Sequence, residues 1–167
     1  MNEIAEKYNF LLQDFIELLK EKFGDNFVSA ILYGSVARGA SRKDSDIDIL
    51  LIFKTLPPSR HKRTMLVFPL IKALREKKSY ISLFKKGYLP EVSPVIYTTE
   101  EIQQTKPVFL DIVEEGIIII DDGTWETKKQ SILRRMKELG SRKVTLGNRE
   151  YYWIIKPGLS IGEKVVI

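Results

Sequence analysis

Two short stretches of the chain carry residue types suited to phosphate and metal chemistry. Gly34 and Ser35 follow an apolar run, and Asp46 and Asp48 stand two residues apart a little further along. Gly34 lets the backbone turn and approach a ligand closely. Ser35 would begin one helical turn that ends at Gly39, and the unpaired N–H groups and hydroxyl of such a turn suit a phosphate. A Gly-Ser pair before a helix is also common as a purely structural turn. The pair therefore indicates a phosphate site only in combination with the aspartates.

Asp46 directly precedes a predicted strand over residues 47–53, and Asp48 is its second residue. Residues two apart on a strand point to the same face, so we expect both carboxylates on one face. Two like charges this close repel each other unless a cation lies between them. Carboxylate oxygens are the ligands that Mg²⁺ prefers. A polar turn explains Asp44, Ser45 and Asp46 well. It explains Asp48 poorly, because an unneutralised charge inside an apolar strand costs several kcal/mol, and the pair therefore favours Mg²⁺ or Mn²⁺.

Alternating helix and strand patterns would position these residues. The hydrophobic periodicity predicts an amphipathic helix over residues 3–23 and later helices over 59–78, 107–114 and 125–139; it predicts strands at 27–33, 47–53, 92–97 and 117–120, and a hairpin over 144–155. The fold class is therefore α/β (α+β), a mixed β-sheet flanked by helices. We expect one domain over residues 1–123 and a C-terminal helix–hairpin appendage over 124–167 that packs on it.

Local signals add detail to these elements. Pro69 predicts a kink or break in the second helix, and residues 83–90 are predicted to form a loop. Pro94 predicts an edge strand or a bulge. Thr98 and Glu101 have the spacing of a capping box. The core candidates of the second helix are Met65, Leu66, Phe68, Ile71 and Leu74.

Charge and composition narrow the classes of function. The chain has 167 residues, no cysteine and a net charge of +5, which excludes disulfides and thiolate metal sites and is typical of a cytoplasmic protein. The sequence contains no run of about 20 apolar residues, so no membrane span is predicted. The positive excess lies in residues 57–99, where nine basic residues stand against two acidic ones. Such a segment attracts a polyanion or forms a solvated helix face.

Gly34-Ser35, Gly39 and the Asp-Ser-Asp-Ile-Asp run at 44–48 resemble the signature of the DNA polymerase β-type nucleotidyltransferase superfamily, in its minimal prokaryotic and archaeal form. The likeness covers residues 33–48 and the order of the surrounding elements. It implies that a nucleoside monophosphate, with AMP favoured, passes from ATP or another nucleoside triphosphate to a hydroxyl of a protein, RNA or small molecule. It also implies catalytic, metal-binding roles for Asp46 and Asp48, and triphosphate contacts for Gly34 and Ser35.

Cations near the motif are candidates for binding the leaving pyrophosphate. Arg38 and Lys43 are assigned to nucleotide binding on this ground, although solvated loop positions are the simpler explanation of each. The superfamily likeness further implies a third carboxylate on a later strand. We assign it to Glu91 at the start of the third strand, as a catalytic and metal-binding residue. Asp111 is interpreted as an outward helix residue, and Glu163 lies in a tail of little pattern.

Two rival interpretations remain open at this stage. The chain could be a catalytically weak nucleotide- or partner-binding module, such as the antitoxin-like half of a toxin–antitoxin pair with a small helical partner. It could also bind RNA through residues 57–99, which is not favoured because the aromatic residues there are spaced as core residues would be. His61 is expected at the surface, and Trp125 and Trp153 in packing roles. No membrane partner is expected, and an oligomer stays open.

Overall fold

The computed structural model describes residues 7–147, 150–158, 160, 165 and 167. The helices are α1 Asn9–Phe23, α2 Gly34–Ala37, α3 Arg60–Leu74, α4 Lys78–Lys85, α5 Pro107–Glu115 and α6 Thr124–Leu139. The strands are β1 Phe27–Tyr33, β2 Ile47–Phe53, β3 Val92–Thr98, β4 Ile117–Ile120, β5 Arg142–Leu146 and β6 Glu150–Ile154. The first residues of the helix predicted over 3–23, up to residue 6, fall outside the described part, and so does Glu163.

Four strands form a mixed sheet in the order β3-β2-β1-β4. The β1 strand pairs antiparallel with both β2 and β4, whereas β2 and β3 run parallel. This confirms the predicted fold class, and it places the proline-containing β3 at an edge as predicted. Tyr33 stands opposite Asp48 in the register. The turn that joins β1 to β2 therefore lies at the sheet end where both motifs meet.

The β2 strand is buried on both of its faces, as its apolar sequence predicts. Ile49 and Leu51 belong to the core cluster that α1 and α3 cover. Leu50 and Ile52 belong to a second cluster, which contains residues of α5 and α6. Side chains alternate along a strand, so Asp48 shares its face with Leu50 and Ile52. The aspartate therefore points towards the α5 side of the sheet.

The helices that follow β2 differ from the sequence prediction. The α3 helix continues through Pro69 without a break, and α4 occupies part of the segment predicted as a loop. Met65 and Phe68 are wrong as core candidates, being 54% and 53% exposed. The buried face of α3 instead carries Arg63, Val67 and Leu74. At 100° per residue these three share one side of the helix, and Met65 lies opposite them.

Polar signals at the other element ends are confirmed. The Thr98 N–H donates to Glu101 Oε2 at 2.9 Å, while the Glu101 N–H donates to Thr98 Oγ1 at 3.2 Å. This reciprocal pair is the predicted capping box. Gly140 ends α6 with a φ of 68°, a backbone conformation that glycine adopts without strain. Within the described residues, no helix combines the length and the apolar character required to cross a membrane.

Candidate active site

The turn after β1 brings Gly34 into direct contact with Asp48. Gly34 has a φ of +72°, and a Cβ built on it would lie 2.2 Å from Asp48 Oδ2. Any side chain at position 34 would therefore be strained and would also collide with the carboxylate. The Ala40 N–H donates to the Ser35 carbonyl at 2.9 Å, which closes the single turn of α2. The two motifs that the sequence places 11 residues apart thus form one site.

The two carboxylates differ in their surroundings. Asp46 is exposed just before β2, whereas Asp48 is half-buried at the second position of the strand. Burial raises the pKa of Asp48 above its ordinary value, the Asp46 charge raises it further, and the Arg38 charge lowers it. The ionised pair is therefore only partly compensated by the protein. A divalent cation with oxygen ligands would relieve both the burial and the repulsion.

Tyr33 stands opposite Asp48 in the strand register, and the sequence did not predict its surroundings. Burial, followed by the charges of Asp48, Tyr97 and Asp111, raises the pKa of Tyr33 to about 12. Asp111 was interpreted as an outward helix residue, and this is wrong. It is half-buried, and its Oδ1 accepts a hydrogen bond from Trp153 Nε1 at 2.9 Å. The reason is that β6, which no sequence pattern connects with α5, covers this face of the helix.

A second unforeseen group holds Arg38, the residue that follows α2. The Arg38 N–H donates to the Gly34 carbonyl at 3.1 Å, so the backbone of Arg38 is fixed to the turn. Its Nη1 donates to Glu115 Oε2 at 2.5 Å. Glu115 also accepts from Lys143 Nζ at 2.6 Å. Gly116 follows Glu115, and a Cβ there would lie 2.4 Å from the Ile112 carbonyl oxygen, so any side chain at position 116 would force the end of α5 to shift.

Lys43 lies against a different part of the chain. Its Nζ donates to the Lys86 carbonyl at 3.2 Å and lies 5.6 Å from the ring centre of Tyr88. Its carbonyl accepts from the Leu89 N–H at 2.7 Å. These contacts connect Lys43 to the loop after α4 and involve neither Gly34 nor the aspartates. Nucleotide binding by Lys43 stays a prediction.

Glu91 borders the site while its carboxylate has other partners. It lines a cavity of about 320 Å³ together with Asp46. Its Oε2 accepts from Arg75 Nη2 at 2.6 Å, and its Oε1 accepts from the Tyr80 hydroxyl at 3.1 Å. Over the described ranges, no three His, Cys, Asp or Glu side chains cluster as a metal site. The structure thus does not bring Glu91 together with Asp46 and Asp48 as a third ligand, and that role stays a prediction.

The basic segment 57–99 does not form one uniform patch. Arg63 is only 6% exposed, and its two terminal nitrogens donate to Glu101 at 2.6 and 2.9 Å. Its role is therefore structural. Arg60, His61 and Lys62 are exposed at the start of α3, which confirms the surface position expected for His61. Trp125 is fully buried in the second core cluster, as its predicted packing role requires.

Comparison with known proteins identifies the family of the chain. A family model described as a nucleotidyltransferase domain matches residues 12–135. Two proteins of Methanocaldococcus jannaschii are similar to the chain. "Putative protein adenylyltransferase MJ1305" is 31% identical over 137 residues, which are 78% of this chain and 86% of that protein. "Putative protein adenylyltransferase MJ0141" is 30% identical over 112 residues, which are 67% of this chain and 93% of that protein.

Two solved structures are more loosely similar. A toxin–antitoxin crystal structure with AMP-PNP superposes with a TM-score of 0.48 at 18% identity, over 75% of this chain and 89% of that one. A crystal structure named as a putative nucleotidyltransferase from Sulfolobus solfataricus superposes with a TM-score of 0.41 at 18% identity, over 73% and 90%.

Proposed function

The chain belongs to the nucleotidyltransferase domain family and is a nucleotidyltransferase, and from this premise we propose that it transfers AMP from ATP to a hydroxyl group of a protein. The observation that carries the proposal is the contact between Gly34 and Asp48, where a Cβ would lie 2.2 Å from the carboxylate oxygen. A phosphate held at the turn would lie beside the acidic pair. The same position therefore serves both the triphosphate and its metal.

The donor set of the pair fits Mg²⁺ or Mn²⁺. Asp46 and Asp48 offer carboxylate oxygens only, and the pKa of Asp48 is raised by burial and by Asp46, so the pair favours an added positive charge. A bound divalent ion would polarise the α-phosphate and offset the charge of the triphosphate. Glu91 would assist only if its carboxylate left Arg75.

The residues of the turn position the nucleotide in this proposal. The hydroxyl and N–H groups of Ser35 would hold phosphate oxygens, since the Ser35 side chain hydrogen-bonds to no other described residue. Arg38 would neutralise negative charge on the departing pyrophosphate. The acceptor oxygen forms a bond to the α-phosphorus as the bond from that phosphorus to the bridging oxygen breaks. The hydroxyl proton passes to solvent or to a nearby carboxylate, and pyrophosphate leaves.

The names of the two archaeal relatives support a protein as the acceptor. A toxin–antitoxin role with a small helical partner belongs to the same proposal. The acceptor is then the partner's hydroxyl group. The exposed cations Arg60 and Lys62 follow the end of β2 that is remote from Asp48, and they would attract an acidic partner at longer range.

The test uses ATP labelled at two positions. The chain is incubated with Mg²⁺, the product of the neighbouring gene and ATP labelled either at the α- or at the γ-phosphate. We expect labelled protein only from ATP labelled at the α-phosphate, because the transferred AMP carries that phosphate. A kinase would instead transfer the γ-phosphate. Asp48→Asn is the matched control and should transfer none.

Calorimetry supplies an independent check on the metal. ATP should bind weakly in EDTA and more tightly with Mg²⁺ or Mn²⁺, because the acidic pair repels phosphate until it is neutralised. Equal affinity in both buffers would remove the metal from the proposal. Transfer by Asp48→Asn at the wild-type rate would remove the acidic pair.

A further inference from the structure

The C-terminal hairpin reaches the site through one chain of ion pairs. We propose that Glu115 and Lys143 are positioning residues, which hold the guanidinium of Arg38 beside Asp48 for contact with the nucleotide phosphates. This inference rests on the proposed function, because the phosphates are those of its substrate. It makes β5 a working part of the nucleotide site.

Arg38 is held at one of its nitrogens and keeps donors for a ligand. Only Nη1 has a partner among the described residues, Glu115 Oε2 at 2.5 Å. The side chain is 40% exposed. A guanidinium has five N–H donors, so most of them remain available to phosphate oxygens. The backbone N–H of Arg38 is bonded to the Gly34 carbonyl, so the side chain extends from the turn that touches Asp48, and its charge acts on Asp48.

Glu115 is built as a fixed support. Its side chain is only 13% exposed, and each carboxylate oxygen accepts from a different cation, Oε2 from Arg38 and Oε1 from Lys143 at 2.6 Å. Burial alone would raise the pKa of Glu115, but the hydrogen bonds from Lys143 and Arg38 outweigh it and hold the pKa below its ordinary value. The carboxylate therefore remains ionised and paired at neutral pH.

Lys143 makes the support compatible with an anionic ligand. A lone Glu115 would cancel the charge of Arg38 and repel phosphate. Lys143, which pairs with both Glu114 and Glu115, offsets part of that negative charge, so Glu115 cancels less of the Arg38 charge than it would alone. Lys143 is itself confined, because its Nζ lies 2.8 Å from Glu114 Oε2 and 4.0 Å from the ring centre of Tyr151. Burial lowers the pKa of Lys143, yet the hydrogen bonds to Glu114 and Glu115 raise it to about 12.

Neighbouring residues provide matched controls. Glu114 also binds Lys143 but does not touch Arg38, so Glu114→Gln removes an equivalent charge without releasing the arginine. Arg142 precedes Lys143 on β5 and is exposed. Arg142→Met therefore removes a cation from the same strand with no effect on Glu115.

The experiment measures Mg·ATP affinity by calorimetry and Arg38 guanidinium rotation by nitrogen-15 NMR in the full chain. Glu115→Gln and Lys143→Met should each weaken binding about tenfold, as loss of an orienting partner typically does. They should also restore free rotation of the Arg38 nitrogens. Glu114→Gln and Arg142→Met should leave both readouts within about twofold. Lys143→Arg keeps the positive charge and should bind Mg·ATP more tightly than Lys143→Met does.

A double-variant comparison separates positioning from general structural support. In an Arg38→Ala background, Glu115→Gln should weaken Mg·ATP binding by less than about twofold, because its target is gone. A full tenfold loss in that background, or free Arg38 rotation in the wild-type chain, would overturn the inference. If the wild-type chain bound no Mg·ATP, the proposed function would fail. The rotation measurement would still decide whether Glu115 and Lys143 hold Arg38.

Discussion

Two arginine–glutamate pairs of similar length serve different ends in this molecule. In the site pair, Arg38–Glu115, one contact of 2.5 Å leaves the arginine side chain 40% exposed. In the joint pair, Arg63–Glu101, two contacts of 2.6 and 2.9 Å hold an arginine whose side chain is 7% exposed. Arg63 Nε also donates to the Pro57 carbonyl at 2.6 Å.

The difference shows that the length of an ion pair says little about its role. The joint pair uses donors of Arg63 in all three of its nitrogen groups within the protein and fastens the start of α3 to the turn after β3. The site pair uses one donor and leaves the others without a hydrogen-bond partner among the described residues, and the charge of Arg38 acts on Asp48. What distinguishes the two arginines is the number of donors left for a ligand and the charge that those donors face.

The largest effect should come from the two aspartates of the site. Asp46→Asn and Asp48→Asn should each reduce transfer by at least about 10–100-fold, since even loss of a partner behind a metal ligand costs that much. Label transfer from α-labelled ATP measures this. Joint-pair variants should leave the rate per folded molecule unchanged, and an active double Asn variant would contradict the proposed site.

The same Asp48 variant has a predicted stability signature. The pKa of Asp48 is raised in the folded protein, so its folded form binds a proton more tightly than its unfolded form does. Stability is therefore greatest below the ordinary aspartate pKa and falls as pH rises through the raised pKa. Asp48→Asn should melt at or above the wild-type temperature at neutral pH, with the gain disappearing in acid.

The joint pair should dominate stability instead. Glu101→Gln leaves Arg63 buried with a weakened partner, and we expect a loss of about 1–3 kcal/mol in the free energy of unfolding. The hydrogen bond from Arg63 lowers the pKa of Glu101. Its contribution is therefore present above the ordinary glutamate pKa and lost as pH falls through the lowered value. Denaturant titrations at several pH values test this, and the exposed neighbour variant Glu100→Gln should cost little.

A comparison of two glycines tests how closely Gly34 packs against Asp48. Gly34→Ala should cost about 1–2 kcal/mol for its positive φ and more for the 2.2 Å approach to Asp48 Oδ2. Gly123→Ala is the matched control, because Gly123 has a φ of +99° and nothing within 4 Å of its Cβ position. Equal losses in the two variants would show that Gly34 and Asp48 do not touch. In an Asp48→Ala background most of the excess cost at Gly34 should disappear, because only the Cβ of residue 48 would remain, at 3.3 Å.

The smallest effect is expected at the exposed start of α3, beside the joint pair. Arg60→Gln combined with Lys62→Gln should weaken use of a protein acceptor a few-fold, and more at low salt, through lost electrostatic attraction. ATP affinity should remain within about twofold. Lys137→Gln combined with Arg142→Gln removes two exposed cations elsewhere and should change neither. A collapse of ATP affinity would place Arg60 and Lys62 in the nucleotide site.

Much of the sheet and the centre of the site could be predicted, because their signals are local. The apolar run of β2 shows a strand covered on both faces, and the short turn after β1 brings Gly34 beside Asp48. A charge inside such a strand is costly, which singles out Asp48. These conclusions need only residues that are near one another in sequence.

The surrounding contacts could not be predicted, because they join distant segments without a periodic signal. Arg38 and Glu115 lie 77 positions apart, and Lys143 lies 28 beyond Glu115. Asp111 turns inward only because Trp153 covers it. The α3 face was misjudged since Arg63, a charged residue, takes a core position that apolar counting assigns to Met65 or Phe68.

The strand order also has a consequence for the sequence of folding events. Only the 13 residues 34–46 separate β1 from β2, whereas the 83 residues 34–116 separate β1 from β4. In an unfolded chain, closing the longer loop costs about 1.6 kcal/mol more in entropy. We therefore expect the β1–β2 hairpin to form first, with Gly34 already against Asp48. Glu115, which lies two residues before β4, should dock later, so that the acidic centre would exist before the support of Arg38 is in place.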